Sequence, residues 1–161
     1  MAEAVAFNSS LENGLRALIV LAAIAPDFAD LQRLVLYDYI LVHSGDVGGP
    51  PSIHPSTPSR GGELIVRRGL VEQGVMLMAS RNLIERFADE HGIGYRASEE
   101  AYPFIDSLTS PYIRSLRRVA DWIADTLQPT PVTELQIAVS GRVANMSNEF
   151  FLGPRSGEFP S

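Results

Sequence analysis

The chain of 161 residues contains no cysteine, which excludes disulfides, thiolate zinc sites and cysteine nucleophiles together. Cations are the minority charge: 13 Lys and Arg stand against 19 Asp and Glu, for a net charge of −6. That balance weighs against general nucleic-acid affinity, which depends on clustered cations. Contact with DNA is therefore expected only indirectly or weakly, through a local patch. No apolar run reaches the roughly 18 residues that a membrane helix needs, so no membrane attachment is expected. The start, MAEAVAFNSS, lacks the basic opening and small-residue cleavage site of a secretory signal. The glycine run Gly45–Gly49 lacks the G-K-[ST] ending of a phosphate-binding loop, so nucleotide hydrolysis by that route is excluded. A cytoplasmic protein without a cofactor fits these absences.

What is present reads as one domain with a tail, since domains usually span about 100–200 residues. Ser9 and Glu12 form a capping box at the head of a first helix. Leu11, Leu15, Leu18, Ile19, Ala22 and Ala23 fall on its apolar face, with Glu12, Asn13 and Arg16 opposite. Pro26 ends this helix, and Asp27 or Asp30 can cap the next, over about 28–44. Leu31, Leu34 to Tyr37 and Tyr39 to Val42 make that second helix apolar nearly all round. Such a helix is buried, and in so small a domain part of the burial is expected from another chain.

His43-Ser44-Gly45-Asp46 closes the second helix, and a loop from Val47 to Gly61 follows, with prolines at 50, 51, 55 and 58. Prolines fix local dihedrals, so the loop is expected to be ordered. A third helix over 63–80 is expected to turn Val66, Leu70, Leu77 and Met78 inward and Glu63, Arg67, Arg68, Glu72 and Gln73 outward. Leu83 to Arg86 and Ile93 to Arg96 alternate as strands around a turn at Asp89-Glu90-His91-Gly92. Another helix begins near Ser98, and a last one starts at Ser110-Pro111 with a strong 3.6-residue stripe through Ile113, Leu116, Ala120 and Ile123. Helix, rigid loop, helix and hairpin is the order of a winged helix-turn-helix. The fold class is thus mainly α with a small β-hairpin: a winged-helix-like core over 9–128 and a C-terminal extension over 129–161. In the extension, Leu135, Ile137 and Val139 alternate as one strand, followed by Phe150-Phe151. An isolated strand with an aromatic pair reads as an interaction segment, and truncation after Gln128 is expected to leave the core folded.

Candidate sites are few. Arg60, Arg67, Arg68, Arg81 and Arg86 lie on or near the third helix, where a DNA reader would carry its arginines. The hairpin tip Asp89-Glu90 opposes phosphate, so a solvated or partner-facing helix is the preferred reading. His43, Asp46 and His54 are residue types that ligate zinc or iron, but their spacing matches no metal motif. Satisfying helix-end and loop backbone groups is the simpler role. Ser44 beside His43 lacks a nucleophile elbow and a third member, and no catalytic residue is assigned. Asp38 stands alone in an apolar run, where a carboxylate needs an arginine or several N–H groups. Its expected role is to order 44–49 or 60–68. Trp122 reads as a core or interface aromatic.

The stretch LVLYDYILVHSGDVGGPPSIHPSTPSRGGELIVRRGLVEQGVMLMASRNLIER resembles the middle component of bacterial three-component ABC ATPase conflict systems. That group includes the LmuC subunit of Lamassu anti-phage defence. The resemblance is carried by Asp38-Tyr39, Leu41, His43 to Asp46, Gly49 to Pro55, Gly62-Glu63, Val66 to Arg68 and Ser80 to Glu85. It covers about 14–128. It implies a non-catalytic adaptor that joins an SMC- or Rad50-like ABC ATPase to an effector, such as a nuclease, in an anti-phage or anti-plasmid complex. On that basis Asp38, Tyr39, His43, Ser44, Asp46, His54, Arg67 and Arg68 are expected to form its partner interface or structural motif, and the pattern of the tail adds Phe150 and Phe151. The alternative from the residues themselves is a winged-helix DNA-binding regulator.

Overall fold

The computed structural model describes residues 9–55 and 63–141. Helix α1 spans Ser10–Ile24 and is capped by Ser9, whose hydroxyl accepts the Glu12 N–H at 3.1 Å. Helix α2 spans Leu31–Val42, and Asp30 caps it by accepting the Arg33 N–H. A short 3-10 turn, Ser44–Val47, carries the chain into the Gly/Pro loop. Helix α3 spans Glu63–Ser80, and the strands β1 (Ile84–Asp89) and β2 (Gly92–Ala97) form an antiparallel hairpin after it. Helix α4 is short, Ala101–Asp106. Helix α5 spans Pro111–Thr126 with Pro at its first turn and the Ser110 hydroxyl accepting the Ile113 N–H. Residues 132–141 form a last helix, α6. The class is the one expected, mainly α with one hairpin, and the order is consistent with a small winged-helix-like domain.

Helix α1 is the axis of the packing, lying against α3 on one side and α5 on another. Its crossing with α3 is backbone on backbone at Gly14 and Gly74. A Cβ on Gly74 would stand 2.3 Å from the Gly14 amide nitrogen and 2.8 Å from the Asn13 carbonyl carbon. Neither atom belongs to a movable side chain. Gly74→Ala should therefore destabilise the chain by about 1–3 kcal/mol, despite the better helix propensity of alanine. A urea-unfolding midpoint at or above that of the parent would show that the helices can part without cost.

Four expectations change. The α3 face is rotated: Val71, Gly74, Val75 and Met78 are buried and Arg67 turns inward, while Val66 is exposed. A polar side chain can take a core-facing position when a buried countercharge waits for it. For the same reason Asn13 and Arg16 of α1 are buried, while Leu11 is exposed. Helix α2 is covered from Leu34 to Val42 by this chain alone, so its apolar character demands no partner. Finally, the strand expected at Leu135, Ile137 and Val139 is the helix α6. Leu135 and Val139, one turn apart, are 4% and 0% exposed and join the main core, whereas Ile137 points to solvent. The two buried residues satisfy helical spacing as well as alternation, and the core selects the helix.

Arg33 fixes the approach to α6. Its guanidinium donates to the carbonyls of Leu127, Gln128 and Thr130 and to the Tyr37 hydroxyl, all within 2.9 Å. One side chain thus satisfies the end of α5 and the turn that follows it.

Candidate functional site

Asp38 lies at the centre of a buried polar network. Its side chain and that of Arg16 are 1% and 3% exposed, and Arg16 Nε donates to Asp38 Oδ1 at 2.8 Å. Arg67 Nη1 donates to Asp38 Oδ2 at 2.5 Å from α3. Arg16 is held in turn by Asn13 Oδ1 at 2.8 Å and by Glu12 at 3.4 Å, one helical turn back. The carboxylate thereby pins the first part of α3 at Arg67; of the stretch 60–68 that its sequence setting pointed to, 60–62 lie outside the described residues. Three helices, α1, α2 and α3, meet on this charge.

The next residue orders the other segment. Tyr39 carries Arg67 over its ring at 5.5 Å, and its hydroxyl donates to Asp46 Oδ2 at 2.7 Å in the 3-10 turn. The Ser44 hydroxyl donates to the Pro50 carbonyl, Gly45 N–H to the Ser52 hydroxyl, and His54 N–H to the Val42 carbonyl. The loop is thus tied down as far as His54. Gly49 admits the Trp122 ring of α5, which comes within 2.6 Å of where a Cβ would sit. His43 packs on Tyr39, with ring centroids 4.8 Å apart, and edge-on to His54 at 6.2 Å.

His54 closes the network onto α5, its Nε2 lying 2.9 Å from the Tyr112 hydroxyl with the rings stacked. Burial above all, then the Arg16, His43 and Arg67 charges, lower the His54 pKa to about 4. Burial, then the Glu12 carboxylate as hydrogen-bond partner, hold the Tyr112 hydroxyl above the usual phenol range. At neutral pH His54 is therefore an uncharged imidazole beside a protonated phenol, an arrangement suited to fixing a loop.

A pH prediction follows from the sign of that shift. The unfolded ring takes up its proton near pH 6.5, the folded one near 4. Stability from a neutral His54 is full above about 6.5 and is lost as the pH falls toward about 4. Screening at a half-buried ring holds the loss to on the order of 1 kcal/mol. Unfolding of His54→Gln compared with the parent at pH 7 and pH 4.5 measures it. An equal drop in both proteins would assign the acid sensitivity to carboxylates instead.

The network brings together Asp38, Tyr39, His43, Ser44, Asp46, His54 and Arg67. It leaves Arg68 apart, on the exposed side of α3, and Phe150 and Phe151 lie outside the described residues. Arg16, Glu12 and Tyr112 belong to the network but were missed as site residues. The signal for Arg16 was the lone carboxylate of Asp38, whose charge calls for a cation on a neighbouring helix. Among the described residues no group of three or more His, Asp or Glu could hold a metal ion. No helix of the described residues is long and apolar enough to cross a membrane. The outward side of α3 is mixed: Ile65, Val66 and Met76 are 76%, 65% and 63% exposed, and Arg68, Glu72 and Gln73 are exposed among them.

Residues 6–149 match the family described as ABC-three component (ABC-3C) system Middle Component 2. No curated protein and no solved structure matches the chain.

Proposed function

The chain belongs to the ABC-three component (ABC-3C) system Middle Component 2 family, and from that premise we propose that it is a non-catalytic adaptor. In this reading it is cytoplasmic and joins an SMC- or Rad50-like ABC ATPase to an effector, such as a nuclease, in a defence complex of the Lamassu kind. Membership of a three-component system itself implies companion components.

The observation that carries the reading is the division of labour along α3. Its arginine at position 67 is committed inward to Asp38, while its solvent side presents Ile65, Val66 and Met76 among Arg68, Glu72 and Gln73. A helix that reads bases places cations and amides in the groove. Large apolar side chains left exposed on one helix, Ile65 beside Val66 and Met76 about three turns on, favour protein contact over base reading. The residues of the shared motif act as the frame that holds this face in position, and Arg68 and the aromatic pair Phe150-Phe151 remain candidates for direct contact.

The test is co-expression of the tagged chain with the ATPase and effector encoded beside it. A stable complex should purify, and Ile65→Asp combined with Met76→Asp should dissolve it without changing the melting temperature of the isolated chain. The regulator reading takes over if the chain purifies alone and shifts duplex DNA in a salt-sensitive manner, since phosphate contacts release counterions.

A further inference from the structure

A second surface lies beside the hairpin. Phe28, Phe87, Ile93 and Val132 line a cleft of about 250 Å³ between β2, the entry to α2 and the start of α6. Phe28 and Ile93 are 52% and 44% exposed, so two large apolar side chains stand open to water at its mouth. The cleft is smaller than the roughly 300–1,000 Å³ typical of small-molecule sites; its size suits one anchoring side chain. Its walls are built: the Phe28 and Phe87 rings meet edge to face at 4.9 Å across Gly94, where a Cβ would stand 2.6 Å from Phe87.

The backbone beside the cleft is a strand edge already in use. Ala29 pairs with Tyr95 in a single antiparallel bridge, Ala29 N–H to Tyr95 O at 3.0 Å and Tyr95 N–H to Ala29 O at 2.8 Å. The chain then turns away into α2 at Asp30. In an antiparallel ladder, residues two apart direct their N–H and C=O to the same side. Ile93 therefore directs its backbone groups to the side that Ala29 occupies at Tyr95, alongside the cleft. The third strand is begun and left unfinished.

Charge decides what could finish it. Asp30 and Asp89 line the cleft, and exposed Asp27 and Glu90 adjoin it in sequence, in a chain of net charge −6. The one cation lining it, Arg33, has its guanidinium directed to the carbonyls of Leu127, Gln128 and Thr130. We propose that this cleft receives an extended segment of a partner component, in which an aliphatic side chain flanked by lysine or arginine enters between Phe28 and Ile93. Main-chain hydrogen bonds to Ile93 extend β2, and the flanking cations meet Asp30 and Asp89. The inference rests on the adaptor reading for the identity of the partner.

The probe is a fluorescent heptapeptide alternating lysine with valine and leucine, measured by anisotropy with the full chain. Its counterpart carries glutamate in place of lysine. The lysine peptide should bind at least about tenfold more tightly, with the preference falling as salt rises. Ile93→Glu should abolish binding, and Asp30→Lys with Asp89→Lys should reverse the preference. No binding, equal affinity for both peptides, or binding indifferent to these substitutions overturns the inference. A chain that captures its ATPase yet ignores the lysine peptide refutes the cleft alone. One that binds the peptide but assembles with no component refutes the adaptor reading alone.

Discussion

Asp38→Ala is expected to lower stability by about 3–5 kcal/mol, because it strands two arginines on a buried acceptor site that no longer exists. Arg16 is the more exposed to this loss in energetic terms, being almost fully enclosed, while Arg67 is nearer to solvent. A domain has only about 5–15 kcal/mol in reserve, so the variant should unfold at markedly lower urea. Arg67→Ala should cost less, since Asp38 keeps Arg16. Removing all three charges together, as Asp38→Leu with Arg16→Met and Arg67→Leu, should recover much of the loss, because the penalty comes from uncompensated charge. A midpoint for Asp38→Ala within error of the parent would refute the central role of this carboxylate.

Truncation after Gln128 is expected to destabilise the chain by about 3–6 kcal/mol, taking 1.5–3 kcal/mol for each of the two fully buried aliphatic side chains removed. Leu135 and Val139 go with α6, as do the Thr130 carbonyl that Arg33 grips and the Gln32–Gln136 hydrogen bond. This reverses what the sequence alone led us to expect of the same cut. Truncation after Gly141 keeps every one of those contacts. Its comparison with the full chain measures what residues 142–161, Phe150 and Phe151 among them, contribute to complex assembly. A Gln128-truncated chain that melts with the parent would show that α6 is an attachment and not core.

The sequence was most legible where a single local rule governs. Ser9, Asp30 and Ser110 cap the helices they precede, and the stripe Ile113, Leu116, Ala120 and Ile123 is buried as its spacing requires. The lone carboxylate of Asp38 announced a buried cation. It could not say which one, because the choice between arginines depends on how three helices cross. The same crossing hid the rotation of α3: polarity placed Arg67 outside and Val66 inside, and one ion pair inverted both. The over-apolar α2 was read as evidence of a partner because its covering by α1, α3 and α5 is a long-range property. At Leu135, Ile137 and Val139 two periodicities share the same residues, so only packing could choose between them.

The contact of α1 with α3 also bears on how the chain reaches this structure. The hydrogen bond from Ser10 to Gln73 joins residues 63 positions apart, so α1 finds its neighbour only after the intervening chain has looped back. Closure entropy grows slowly with such a loop, by about 0.6 kcal/mol for each doubling in length. Docking of α1 on α3, in contrast, is a non-local event of the sort that slows folding. A permuted chain that begins at α3 should therefore change the folding rate without changing the final structure.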